Sequence, residues 1–181
     1  MTVQRWVAFA AVAFLCACNP QVPRDAASLA PSPTPTASAP LSLKITGSGT
    51  EKQPVRIVQQ RGNGKQYELL ARSFVSQGAP GSARATFKNP HVTFYGKDGS
   101  TMIADAPRGI VDQDSDLVEL QGGVNAHNSS GMALQCDTLT YDRATEMFHG
   151  TGHVVITEQN GFHATGQRVD SDITLTHTQM Q

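Results

Sequence analysis

One spacing recurs three times in this chain. Val92, Gly99 and Ala104 stand seven and five residues apart, as do Val124, Gly131 and Cys136, and again Val154, Gly161 and Gly166. Gly122 and Gly152 each precede their valine by two. Every unit reads as strand, glycine-containing turn, strand, with a residue of matched inward position at either end. A lone hairpin cannot bury its apolar face. Hairpins repeated in this way must be laid against one another to make a shared core, which is the logic of repeat architectures.

Period-two alternation extends the pattern over the chain from residue 41 onward. It is seen in Leu41-Leu43-Ile45, Val55-Ile57, Tyr67-Leu69-Ala71, Val92-Phe94, Met102-Ala104, Val118-Leu120, Val124-Ala126, Leu134-Cys136, Leu139-Tyr141, Val154-Ile156 and Ile173-Leu175. Such alternation gives each strand one apolar and one wet face. Gly62-Asn63-Gly64, Lys97-Asp98-Gly99, Asn128-Ser129-Ser130-Gly131 and Gln159-Asn160-Gly161 supply the turns between them. No segment carries a helical period. The nearest candidate, 66–76, has a Tyr-x-Leu-x-Ala spacing that favours a strand. The expectation is an all-β, antiparallel fold built from hairpins. Charged residues make up only 16% of the chain and the net charge is −1, so no basic footprint argues for a nucleic-acid partner.

The first forty residues read differently. Arg5 precedes an unbroken apolar run over 6–15. A membrane-spanning helix needs about 20 such residues, so the run fits the apolar part of a signal peptide instead. Leu15-Cys16-Ala17-Cys18 then resembles a bacterial lipobox, with leucine three positions before a cysteine and a small residue just before it. This implies cleavage after residue 17 and lipid attachment at Cys18, an anchor of more than one acyl chain that holds stably to a membrane. Residues 19–40 contain six of the ten prolines among Ala, Ser and Thr, a semi-extended tether with nothing to build a core. The organisation expected is a lipoprotein signal peptide over 1–17, a lipidated cysteine and tether over 18–40, and one β domain over 41–181. Cys136 is then the sole unmodified cysteine, and its place in an alternating run makes it a buried, inert side chain.

Inward positions are mostly Val, Ala, Leu and Ile, with Phe94, Tyr141, Phe148 and Phe162 as the large ones. Facing sheets so lined would either fill one another's space or leave an apolar groove suited to acyl chains. Both alternatives stand at this point.

Longer strings carry a family resemblance. Tyr67-Glu68-Leu69-Leu70-Ala71 is followed by Phe87-Lys88-Asn89-Pro90-His91-Val92-Thr93-Phe94-Tyr95 and Asp98-Gly99. Val118-Glu119-Leu120-Gln121-Gly122-Gly123-Val124 leads to Gly131, Leu134-x-Cys136-x-x-Leu139 and Tyr141-Asp142. Gly150-x-Gly152-x-Val154-x-Ile156 leads to Gly161-x-x-Ala164-x-Gly166. In order and spacing these resemble the LptC family, the periplasmic component of lipopolysaccharide export, whose repeat is shared by LptA and OstA-type domains. The resemblance covers about 41–175. It implies a twisted, open antiparallel β-jellyroll whose interior carries the acyl chains of lipopolysaccharide or a related glycolipid. It also implies edge-strand stacking on the inner-membrane ABC transporter complex at one end and on an LptA-like periplasmic protein at the other. The chain departs from the family at its anchor, where a lipobox and tether replace the usual transmembrane helix. The location implied is the periplasmic face of the envelope, lipid-anchored, at the inner membrane in preference to the outer. The lining expected for the groove is Val92, Phe94, Met102, Ala104, Leu120, Val124, Leu134, Cys136, Leu139, Val154 and Ile156.

Chemistry on the cargo is not expected. Asp112-x-Asp114-x-Asp116 starts like a calcium loop, but Leu117 and Gly123 stand where that loop needs Gly and Glu, so a solvated turn is the better reading. His149 and His153 would lie about 13 Å apart on a strand, too far to share an ion. There is no nucleophile elbow and no phosphate-binding loop, so neither an enzyme nor a cofactor or metal is expected, and any energy for transport must come from another protein. The alternative function is a structural or protein-binding β-sandwich lipoprotein of the envelope that uses its edges without carrying lipid.

Overall fold

The computed structural model describes residues 43–79 and 82–181. The signal peptide, Cys18 and the tether lie outside the described residues. Thirteen strands follow in chain order: β1 (Leu43–Ser48), β2 (Val55–Arg61), β3 (Gly64–Ala71), β4 (Ser73–Ala79), β5 (Ser82–Lys88), β6 (His91–Tyr95), β7 (Thr101–Asp105), β8 (Arg108–Asp112), β9 (Leu117–Asn128), β10 (Ala133–Asp142), β11 (Met147–Thr157), β12 (His163–Ser171) and β13 (Gln179–Met180). Every ladder is antiparallel, and the described residues contain no helix.

The sheet divides at β9. Leu117–Gln121 pair with β8, whereas Asn125–Asn128 pair with β7. One layer therefore runs β2–β3–β6–β7 into the second half of β9, and the other runs β1–β4–β5–β8 into the first half. The long strands β10, β11 and β12 continue both layers, so the sheet folds over on itself without closing into a barrel. This is the open antiparallel jellyroll that the family resemblance implies, built from the antiparallel hairpins that the alternation implies.

The fold line is written in β-bulges. Gly122 and Gly123 lie at φ +93° and +91° and together oppose the single residue Asp137; Gly152 and His153, at +74° and +46°, oppose Gln167 on the other side of β11. Each bulge inserts one extra residue and bends the strand. On β10 the buried positions are Leu134 and Cys136 before the bend and Leu139 and Tyr141 after it. Inward parity thus flips at Asp137, and the two runs read as separate strands are halves of one. Val118-Leu120 and Val124-Ala126 are likewise one strand, β9.

The recurrent spacing has a direct geometric meaning. Val92 pairs with Ala104, Val124 with Cys136 and Val154 with Gly166, so the first and last members of each unit face each other across a hairpin. The glycines at 99, 131 and 161 lie at φ +86°, +88° and +92°. Each donates its N–H to a carbonyl three residues back, Gly96, Asn128 or Glu158, at 3.1–3.2 Å. This is the hairpin whose turn is followed by a left-handed residue.

Two features differ from the sequence reading. Ile173-Leu175 is not a strand: Leu175 sits at φ +58° in a turn tied to the Asp172 carboxylate, yet its side chain is buried. Strands β4, β5, β8 and β12 go beyond the alternations identified. Ser, Gln, Gly, Ala and Arg occupy many positions of β4, β5 and β12, which are half-buried and need little apolar surface, whereas β8 is buried but sets Ile110 and Val111 side by side, without alternation.

Candidate functional site

The interior between the layers is the place where the eleven expected lining residues gather. All of them, from Val92 to Ile156, are buried, none more than 4% exposed, and all belong to one continuous apolar cluster. Phe94 holds its centre. Its ring lies 4.7 Å from that of Tyr141, 5.0 Å from Phe148 and 6.2 Å from Tyr67, centroid to centroid, in tilted and edge-on arrangements. Here the side chains fill the space between the layers. Tyr67, Phe87, Val169 and Leu175 are among the further members of the cluster that the expected lining leaves out. Tyr67 lay in a recognised alternation; Phe87 sits in a polar-looking strand, and Leu175 turns inward only because its loop does.

Towards the ends the interior is less filled. At the C-terminal end a cavity of about 430 Å³ is lined by Met132, Ile156, Phe162, Leu175 and Met180, among others. Phe162 is 52% exposed there. At the N-terminal end, β1 carries its inner face past the core. Gly47 pairs with Phe74 and Phe74 with Phe87, a core residue, so Leu43, Ile45 and Gly47 share the inner face. Leu43 and Ile45 are nevertheless 57% and 49% exposed. Among the described strands none pairs with the outer edges of β1 and β2. An unpaired edge beside exposed apolar side chains is a template for another sheet.

Away from the glycine bulges of β9 and β11, hairpin turns of the two layers meet along a seam. Glu146, on the β10–β11 turn, is held by Lys97 of the β6–β7 turn (Nζ–Oε1 2.9 Å) and approached by Arg61 at the tip of β2 (3.6 Å). Gln66 is the extra residue of a bulge in β3, opposite Gln59 and Gln60. The bulge turns its side chain inward, where its amide donates to the Arg143 carbonyl at 2.8 Å. Arg143 is itself buried and pairs with Asp116. Further out, the Asn128 amide donates to the Thr174 carbonyl at 2.6 Å. None of these contacts was visible in the sequence, since each joins turns that are far apart along the chain.

The remaining candidates fall into structural roles. Asp112 caps its hairpin turn by accepting from the N–H groups of Asp114 and Ser115. His149 pairs with Asp170 at 2.5 Å, and His153 with Asp137 at 2.7 Å. Hydrogen bonding to His149 holds the Asp170 carboxyl below its ordinary range. Burial pushes the Cys136 thiol up to about 11. Among the described residues no three His, Cys, Asp or Glu side chains gather to hold a metal. No helix among the described residues is long and apolar enough to cross a membrane. Among the described residues the arrangement offers an apolar interior and open edges.

No curated protein matches the chain. The family model described as lipopolysaccharide-assembly, LptC-related, matches residues 52–180, well over half of the sequence and nearly all of the β domain. With that match over this two-layer fold, the chain belongs to the LptC-related lipopolysaccharide-assembly family.

Proposed function

We propose that the protein is a bridge element in lipopolysaccharide transport. It takes acyl chains into the interior between its layers and passes them from an inner-membrane ABC transporter to an LptA-like partner. The observation that carries this reading is the match of the LptC-related family to the same β domain whose inner apolar face runs on, exposed, to an unpaired edge at Leu43 and Ile45. Moving acyl chains through water costs about 0.8 kcal/mol per CH₂. An apolar lining offsets that cost without holding any one position tightly. The lining residues are Val92, Phe94, Met102, Ala104, Leu120, Val124, Leu134, Cys136, Leu139, Val154 and Ile156. Because their side chains are in mutual contact, lipid enters by parting the layers and repacking the aromatic cluster around Phe94. Edge strands at the two ends join like domains by backbone hydrogen bonds. Anchoring comes from acyl chains on Cys18 at the periplasmic face of the inner membrane, with the segment to residue 40 as a spacer.

The filled centre favours a second reading, a protein-binding scaffold without cargo. Photo-crosslinking decides between them. A crosslinker at Leu134 or Phe94 yields lipopolysaccharide adducts in cells if the first reading holds. Adducts to protein alone, and from exposed positions such as Ile45 alone, leave the scaffold.

A further inference from the structure

One cavity lies outside the apolar interior, on the seam. It measures about 570 Å³ and is lined by Arg61, Lys65, Gln66, Tyr95, Lys97 and Glu146, with two glycines. Its volume is that of a small-molecule site. Its charge is out of keeping with the chain as a whole. Four cations share two carboxylates: Arg56 and Lys65 bind Glu68 at 2.6 and 3.1 Å, and Arg61 and Lys97 share Glu146 at 3.6 and 2.9 Å. The lining itself sets Arg61, Lys65 and Lys97 against one carboxylate, Glu146, in a chain whose net charge is −1; Arg56 and Glu68, which also holds Lys65, are not part of that lining. Arg61 and Lys97 are 46% and 80% exposed, so their donors are only partly used by Glu146. Asp98, the nearest other carboxylate in sequence, is turned to Ser100 and lines a neighbouring cavity instead.

We propose that this cleft binds the phosphate of a phosphorylated sugar head group, with Arg61 and Lys97 as its ligands and Glu146 as the internal anion it displaces. A phosphate presents more acceptor oxygens than one carboxylate and carries more charge, so it satisfies a guanidinium and an ammonium together better than Glu146 does. Lys65 lies 5.5 Å from the Tyr95 ring centre, on the wall of the cleft, and supplies a third cation. Beneath the wall, Tyr67 and Phe94 are the next residues along β3 and β6 from Gln66 and Tyr95, and both belong to the aromatic centre of the interior. A phosphorylated sugar held on the seam therefore sits directly beside the place where its acyl chains would enter. Displacing Glu146 also removes a tie between the layers. The ligand's identity as a glycolipid head group rests on the transport reading; the anion site does not.

The test uses the full chain and soluble probes that carry no acyl chain: glucosamine 6-phosphate, glucosamine and inorganic phosphate, each followed by NMR shifts of the backbone around 61–66 and 95–97. Glucosamine 6-phosphate is expected to bind, with glucosamine giving no shifts and inorganic phosphate binding more weakly. The double variant Arg61→Gln/Lys97→Gln should lose about tenfold in affinity. Glu146→Gln should bind several-fold tighter, since the competing charge is gone. Both variants alter exposed or half-buried side chains, and an unchanged thermal midpoint confirms that they fold. An unchanged affinity in the double variant, or weaker binding in Glu146→Gln, overturns the site. Equal affinity for inorganic phosphate and the sugar phosphate overturns the head-group assignment. Failure of the interior crosslinks with the sugar phosphate still bound would discard the carrier reading and leave the anion site standing.

Discussion

Glu146 and Lys97 join a turn of one layer to a turn of the other, Oε1 to Nζ at 2.9 Å, although they stand 49 residues apart. Arg61 approaches the same carboxylate from a third turn. Exposed ion pairs of this kind contribute about 0–1 kcal/mol. Glu146→Ala should therefore barely change the thermal midpoint. Its effect should appear as faster amide hydrogen exchange in the turns at 96–100 and 142–147, because the ties that hold the layers together there are fewer. Unaltered exchange in both turns would mean that the pair is not a latch.

The core responds in the opposite way. Phe94 touches three other aromatic rings and is 1% exposed, so Phe94→Ala should cost about 3–5 kcal/mol in denaturant unfolding. Ile45→Ser, on the exposed stretch of the inner face, should stay within about 0.5 kcal/mol of the native chain. If the edge docks another sheet, the same substitution should weaken that assembly in pull-down or co-purification.

Two glycines of positive φ separate space from strain. Gly161 lies at +92° with open space around the position a Cβ would take, so Gly161→Ala should cost only the left-handed backbone penalty of about 1 kcal/mol. At Gly152 a Cβ would run into the Asp137 carboxylate, which already pairs with His153. Gly152→Ala should therefore cost distinctly more, about 2 kcal/mol or above, measured by the same unfolding curves.

Cys136 gives a pH window. Burial raises its thiol to about 11, above the ordinary value of about 8.5 of an unfolded chain. The unfolded chain loses that proton first, so the neutral thiol stabilises the fold fully below about pH 8.5 and progressively less as pH climbs towards 11. Comparing unfolding free energies of the native chain and Cys136→Ala over this range isolates the effect, and only the native chain should carry the extra decline. At pH 8, alkylation of Cys136, followed at its own peptide, should proceed no faster than the fold opens.

Legibility differed by residue. Val124, Gly131 and Cys136 could be read because a hairpin is local: side-chain alternation and a left-handed glycine at the turn are both properties of neighbouring residues. β4 and β12 were hidden because an edge or a half-wet strand places little demand on its apolar content. Leu175 imitates a strand residue in the sequence, although its inward direction comes from a turn and not from alternation.

From the amino-acid order alone came the β class, the hairpin units with their paired positions and the family resemblance; the inward set came only in part, since Phe87 was missed and Phe162, expected inward, is half exposed. What the order could not decide is how the two layers meet. The parity flip at Asp137, the packing of Phe94 against Tyr141 and Phe148, and the gathering of Arg61, Lys97 and Glu146 on one seam each depend on contacts between segments tens of residues apart. Alternation says which face of a strand is apolar. It carries no information about what is placed against that face, nor about which distant turns are brought within a salt bridge of one another.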